Sequence, residues 1–437
     1  MSIVIVGAGI TGLTLGLQFL GKGAKVLILE KEPVVGGLCR SYRYGKFSFD
    51  VGPHRLFSTD PAIMQFFLSV LGDQYTEVDR VSRVNLDGRY YDWPFTFKSV
   101  FGLPVKMVLG CFKDLLVRPD CTNADIATLK DYVTARYGAT IYKIFWEDYT
   151  EKFLGLRGEE VDALWGSLSV GRSVVDRNAR PACLRDLVRN CLVRPKSTLR
   201  FLYPKGGMGA YPDLCAALIR KMGGQIRLNE QIRSLGKGRG GIDRVLTNTG
   251  EYEADQVIWT GTLPDICTLL GEPAPDLAYL PSLLFNLEVQ GAMPGEWQWM
   301  YFPDRDCVFS RVSRPGKFNP ATTPAGMTGL CVEVTEPAGA AFSGHPERLV
   351  ERVTADLVRA GLLDTAGRVA AWHIERVQNA YPIYRKGFQQ TVEDARAVLG
   401  RYRNLQLAGR QALFVYDNID EAVESALALA ARLTASL

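Results

Sequence analysis

Three observations in the sequence predict an α/β fold in three parts. Residues 2–20 read as strand, glycine loop and helix; the pattern from about 97 to 194 is helical; and strand-like runs crowd into 282–335. The first predicts a nucleotide-binding parallel sheet of the Rossmann-like kind, the second an inserted helical domain, the third an antiparallel sheet. A chain of 437 residues is long enough for two or three such parts. With 51 Lys+Arg against 47 Asp+Glu, the charge is too balanced for a nucleic-acid binder. The nine cysteines form no C-x-x-C pair and read as reduced thiols of a cytoplasmic protein. A nucleotide-binding unit that begins at the third residue predicts no leader, and no uncharged run reaches the length of a bilayer span.

Taken in order, Ser2 to Val6 is an apolar, β-branched run suited to a buried parallel strand. Gly7, Gly9 and Gly12 then form G-x-G-x-x-G. The first glycine permits the tight turn, the second lets a diphosphate approach the backbone, and the third lets helix and strand pack closely. The helix Leu13 to Leu20 would point its N-terminus at the phosphates. A second strand, Lys25 to Leu29, ends in Glu30, an acid placed for a ribose hydroxyl. Gly36 and Gly37 make a second glycine loop, followed by Arg40, which can pair with phosphate.

Phe47 to Asp50 predicts a strand leading into Val51–Phe57, and Asp60–Pro61 starts a helix. Arg83 to Tyr91 alternates around Asp87–Gly88 as a hairpin does. Phe101 to Val117, interrupted by Lys106, Lys113 and Asp114, reads as a packed amphipathic helix, with a monotopic surface helix as the alternative. Asp131 to Tyr149 spaces its aromatics for a buried face. Phe201 to Gly209 returns to strand and glycine loop, and Gln256 to Thr260 reads as a buried strand. Leu405 to Ala408 is a last strand into Gly409–Arg410, before a closing helix from Ile419. The predicted division is nucleotide binding in 1–96, 201–270 and 381–437, a helical insertion in 97–200, and a substrate domain on the antiparallel sheet in 271–380. No His/Cys/Asp/Glu cluster has metal-ligand spacing, and His345 and His373 read as structural.

The stretch from Gly7 to Ser41 resembles the flavoprotein superfamily of amine oxidases, protoporphyrinogen oxidases, phytoene desaturases and UDP-galactopyranose mutases. The resemblance implies FAD rather than NAD. Its cofactor-binding positions would be Gly7, Gly9, Ile10, Thr11, Gly12, Glu30, Lys31, Gly37, Leu38 and Arg40, joined near the C-terminus by Gly409, Arg410, Asn418 and Ile419. Further matches run in order along the chain and resemble the mutases in particular. They are Asp87 to Thr96 (G-x-x-Y-N-L-P-F), Tyr149–Lys152 (Y-T-E-K), Phe309–Val312 with Lys317–Phe318, Tyr381–Ile383 (Y-P-I), and Gly409–Arg410 with Tyr416.

In those mutases reduced flavin attacks the anomeric carbon of a nucleotide sugar through N5, the nucleoside diphosphate leaves, and the sugar recloses as pyranose or furanose. The likeness therefore implies a nucleotide-sugar substrate, NAD(P)H as a reductant, and a homodimer. It places His54, Arg172 and Arg311 at the reacting centre and Tyr149, Tyr381 and Tyr416 on the substrate, since Arg forks match phosphate and Tyr adds donors without charge. An FAD-dependent oxidase or desaturase is the alternative. The chain departs from the mutase pattern at Pro53, at Phe153–Leu154 in place of a tryptophan, at Phe414 for the first C-terminal tyrosine, and at Asn418. Loss of that tryptophan predicts one aromatic fewer on the substrate side.

Overall fold

The computed structural model describes residues 1–93, 102–117, 126–173, 183, 185–186, 199–238, 241–337 and 345–434. Ser2–Val6 forms the centre of a five-stranded parallel sheet, between Lys25–Leu29 and Gln256–Trp259, with Gln225–Arg227 and Leu405–Leu407 at the edges. Both faces are covered, which is why the central strands are almost continuously apolar. The helix Ile10–Gly21 lies close on the sheet because it carries glycines: a Cβ at Gly16 would stand 2.9 Å from Ile28 Cδ1. The closing helix Ile419–Thr434 packs beside it, so the two ends of the chain share one core.

A seven-stranded sheet makes the second layer, in the order Val369–Pro382, Tyr279–Gln290, Met327–Thr335, Arg311–Ser313, Trp299–Tyr301, Ser82–Leu86 and Arg89–Trp93. It is antiparallel except where Trp299–Tyr301 runs parallel to Ser82–Leu86. The predicted hairpin at 83–91 thus closes one edge of this sheet. Its other edge, Val369–Pro382, went unread in the sequence because an edge strand with Glu375 and Arg376 in its middle lacks clean alternation.

A buried carboxylate ties the layers together. Asp50, at the end of Phe47–Asp50, accepts from Ser41 Oγ (2.6 Å), Tyr203 Oη (2.5 Å) and the Met208 amide (3.0 Å). Burial raises its pKa, and these three donors oppose that rise. Gly207, at φ +114°, must be glycine here, since its Cβ would lie 2.8 Å from both Ser41 Oγ and Ser48 Oγ.

The helical part contains Val105–Val117, Leu129–Tyr137, Asp148–Leu154 and Ala163–Ser173, with a π-helical turn over Tyr142–Glu147 before Tyr149. Thr128 caps Leu129–Tyr137 through a reciprocal bond with Asp131. The expectation of a packed amphipathic helix at Phe101–Val117 needs correction. Val105, Leu109, Phe112, Leu116 and Val117 are exposed; the inward side is a narrow one, with Met107 buried and Asp114 accepting from the Thr140 amide at 2.8 Å. No helix among the described residues is long and apolar enough to cross a membrane, and no metal-holding group of His, Cys, Asp and Glu occurs among them.

Candidate functional site

A cavity of about 730 Å³ runs between the parallel sheet and the seven-stranded sheet. Its first end is the glycine cradle. Gly7, at φ +103°, has no room for a side chain, because its Cβ would stand 2.2 Å from Thr260 Oγ1. A Cβ on Gly9, by contrast, would meet nothing within 4 Å: the backbone there faces open space. Gly36 bridges to Gly9, so the second glycine loop lies against the first. Gly12 does not line the cavity; it lets the helix sit on the turn, where its Cβ would be 2.0 Å from the Gly7 carbonyl oxygen. The helix begins at Ile10 with no side-chain cap. Its first amides face a ready-made anion site.

Glu30 is buried and its carboxylate is held by two backbone amides, Ala8 at 2.7 Å and Glu32 at 2.9 Å. That fixes an acceptor on the cavity wall at the end of the second strand. The open glycine backbone, the uncapped helix start and the fixed acid together fit a dinucleotide such as FAD, whose diphosphate and ribose need those groups. Gly7, Gly9, Ile10, Thr11, Glu30, Lys31, Gly37, Leu38, Arg40, Gly409, Arg410, Asn418 and Ile419 all line this one cavity. Two cations there are already engaged. Arg40 reaches Tyr42 Oη (3.1 Å) and Glu32 (3.4 Å), and Arg410 bonds Asp417 Oδ1 (3.0 Å) and the Ala380 carbonyl (3.1 Å).

The other wall is a face of the seven-stranded sheet. Register places Leu284, Glu333, Arg311 and Tyr301 in one row across four strands. Trp299, two residues before Tyr301, shares its face. Arg311 Nε donates to Glu333 at 2.7 Å, and Arg311 Nη2 contacts both Glu333 and Tyr381 Oη, the latter at 3.1 Å. Tyr381 Oη donates to the second Glu333 oxygen at 2.7 Å. Burial disfavours the Arg311 charge, but Glu333 outweighs it and holds the guanidinium above its ordinary range.

His54 hangs over the same cavity from the Gly52–Pro53 turn. Gly52 has φ +72°, and its Cβ would approach Arg311 Nη2 to 2.9 Å, so the turn and the arginine fit only with glycine. Burial pulls the His54 pKa down to about 3, with the Arg311 and Arg410 charges adding to the fall. The imidazole is neutral at pH 7, and its Nδ1 is buried without a hydrogen-bond partner among the described residues.

Of the predicted site residues, His54, Arg311, Tyr381 and Tyr416 meet at this end. Tyr149 stands behind them, off the cavity wall, stacked on Phe153 at 5.3 Å; Phe153 touches Tyr381 edge-on at 5.1 Å. The side chain of Arg172 lies outside the described residues, as do Pro94 and Phe95 of the hairpin motif. The expected loss of an aromatic at Phe153–Leu154 is made good from another helix: Trp165 stacks on Tyr416 at 4.9 Å. Sequence reasoning missed Glu333 as well. Its signal was a lone carboxylate inside the apolar run 329–334, where an acid must find a partner.

Comparison with known proteins gives one family and one fold. The model of the family described as flavin containing amine oxidoreductase matches residues 10–434. A phytoene dehydrogenase of Streptomyces griseus is 25% identical over 299 residues, covering 62% of this chain and 56% of its own length. A 15-cis-phytoene desaturase of Arabidopsis thaliana is 22% identical over 306 residues, covering 65% of this chain and 51% of its own. The chain thus spans about half the length of these curated relatives. Among solved structures, a reduced UDP-galactopyranose mutase superposes with TM-score 0.83 at 20% identity, over 100% of this chain and 96% of that one. A protein described as a putative protoporphyrinogen oxidase from Exiguobacterium sp. 255-15 gives 0.77 at 19% identity, over 100% and 99%. At such identities the likeness is one of fold.

Proposed function

This chain belongs to the flavin containing amine oxidoreductase family, and from that premise we propose that it is an FAD-dependent mutase that interconverts pyranose and furanose forms of a nucleotide sugar. Reduced FAD would supply the nucleophile for the anomeric carbon. The chain's own residues would hold the cofactor in the glycine cradle, orient the sugar and receive the departing diphosphate. The single observation that carries the reading is the polar wall opposite the cradle. Arg311, Glu333, Tyr381 and Tyr416 give it fixed donors and acceptors where an isoprenoid would need an apolar slot. Neutral His54 can give or take a hydrogen bond there without adding charge. Arg172 remains part of the proposal as a second phosphate ligand, and Tyr149 as a residue that positions the aromatic layer beneath Tyr381.

One observation favours the runner-up, an oxidase or desaturase. Arg311 is already neutralised by Glu333, so it meets a diphosphate as half of an ion pair. The phytoene dehydrogenase and desaturase relatives support the same reading. Reduction by dithionite under anaerobic conditions, followed by a panel of nucleotide sugars, separates the two. A mutase gives a product of unchanged mass and only with reduced flavin. An oxidase or desaturase gives no isomer; instead its oxidised flavin is bleached by an amine, porphyrinogen or isoprenoid donor.

A further inference from the structure

The helix Val105–Val117 is mounted with its apolar side out. Its seat on the protein is narrow and built for close approach. Met107 is buried, a Cβ on Gly110 would stand 2.7 Å from Thr140 Oγ1, and Asp114 accepts from the Thr140 amide at 2.8 Å. Those three positions, spaced by three and four, form one stripe of a helix. The stripe opposite is Val105, Leu109, Phe112 and Leu116, spaced by four, three and four. These four side chains are between 59% (Phe112) and 73% (Val105) exposed, and Val108 beside them is 41% exposed. A helix of a globular protein turns such a stripe to the core; here it is presented to the surroundings.

Charge borders the stripe on one flank only. Lys106 and Lys113, two turns apart, both lie exposed on that flank, and neither makes a hydrogen bond or ion pair among the described residues. The one acid of the helix, Asp114, is turned inward to Thr140. No residue of this helix lines the cavity.

We propose that Val105–Val117 seats the protein on an anionic lipid surface, lying in the plane of the interface. Val105, Leu109, Phe112 and Leu116 enter the boundary between headgroups and acyl chains, and Lys106 and Lys113 reach lipid phosphates beside it. The lysines favour this occupant over a second copy of the chain. A second helix offers them no acid, and antiparallel pairing of the two stripes would bring the lysines of both copies to one flank. The proposal stands apart from the nucleotide-sugar reading, since the surface and the cavity share no residue of the helix.

The test is flotation of the FAD-loaded protein with vesicles of phosphatidylcholine alone and of phosphatidylcholine mixed with phosphatidylglycerol. The wild type should bind the mixed vesicles, bind the neutral ones less, and lose the difference as salt rises. Lys106→Gln with Lys113→Gln should weaken binding to the mixed vesicles roughly thirtyfold, about fivefold for each lysine, and leave binding to neutral vesicles unchanged. Leu109→Asn with Phe112→Asn should weaken binding to both at least about tenfold. Flavin content and activity without vesicles should not change in any variant. Leu116→Asn carries the apolar arm if the double variant fails to fold. Failure of the wild type to bind either vesicle overturns the proposal, as does undiminished binding in the apolar variants. A wild-type dimer in sedimentation that Leu109→Asn with Phe112→Asn splits into monomers, with no vesicle binding, would assign the stripe to a second copy and overturn it too.

Discussion

Glu333→Leu puts the ion pair on the sheet face to a quantitative test. Arg311 is 20% exposed, toward the cavity, and Glu333 is 4% exposed. Removing the acid leaves a guanidinium largely out of water, with Tyr381 Oη as its remaining neighbour in the pair. Breaking a buried pair from one side costs about 3–5 kcal/mol, and the open cavity beside Arg311 puts this case near the lower value, about 3 kcal/mol. Arg311→Met leaves Glu333 buried with donors from Tyr381 and Ser282 (3.3 Å), a smaller loss of about 2 kcal/mol. The double variant buries neither charge alone. It should be more stable than the sum of the singles by about 2–3 kcal/mol. Urea titration of the flavin-loaded protein, followed by near-UV circular dichroism with the slope compared across variants, reads this coupling. Additivity of the two singles within about 0.5 kcal/mol would refute the pairing as an energetic unit.

Four further outcomes are expected. Glu30→Ala orphans the Ala8 and Glu32 amides and removes the ribose acceptor; flavin retention should fall roughly 10–100-fold in dialysis, for about 1.5–3 kcal/mol. Gly52→Ala forces a side chain into a φ of +72° against Arg311, costing about 1–3 kcal/mol in the same urea assay. The His54 pKa lies below its unfolded value, so the unfolded chain binds a proton that the folded chain refuses. Its contribution is full above about pH 6.5 and is lost as pH falls toward 3; His54→Gln should flatten the acid side of a Tm-against-pH curve. The Lys152 ammonium donates to the carbonyls of Phe302, Asp304 (2.7 Å) and Phe309 (3.1 Å); Lys152→Met should free that turn and speed amide exchange across 303–308.

The nucleotide-binding half was legible because its rules are local. Gly7, Gly36 and Gly409 sit at positive φ, and Glu30 ends a strand, so the chemistry lies within short runs of sequence. The opposite wall was legible only as isolated matches. Its row draws on Leu284, Arg311 and Glu333, while Tyr301 meets Val84 from a distant hairpin. Glu333 reads as one acid in an apolar strand until register sets it beside Arg311. The helix Val105–Val117 misled because amphipathic spacing reports a stripe, not which side of it faces the protein.

The central claim is that this cavity breaks and remakes the bond between an anomeric carbon and a diphosphate, with no net transfer of electrons. Positional isotope exchange tests it most directly. A UDP-sugar carrying a heavy-oxygen label in the bridge between sugar and β-phosphorus is incubated with the reduced protein, and phosphorus NMR follows the label. The account predicts that the label scrambles into the non-bridging positions, with reduced flavin only, and that the flavin ends in the state in which it began. A label that stays in the bridge while a hydride donor bleaches the oxidised flavin would contradict it.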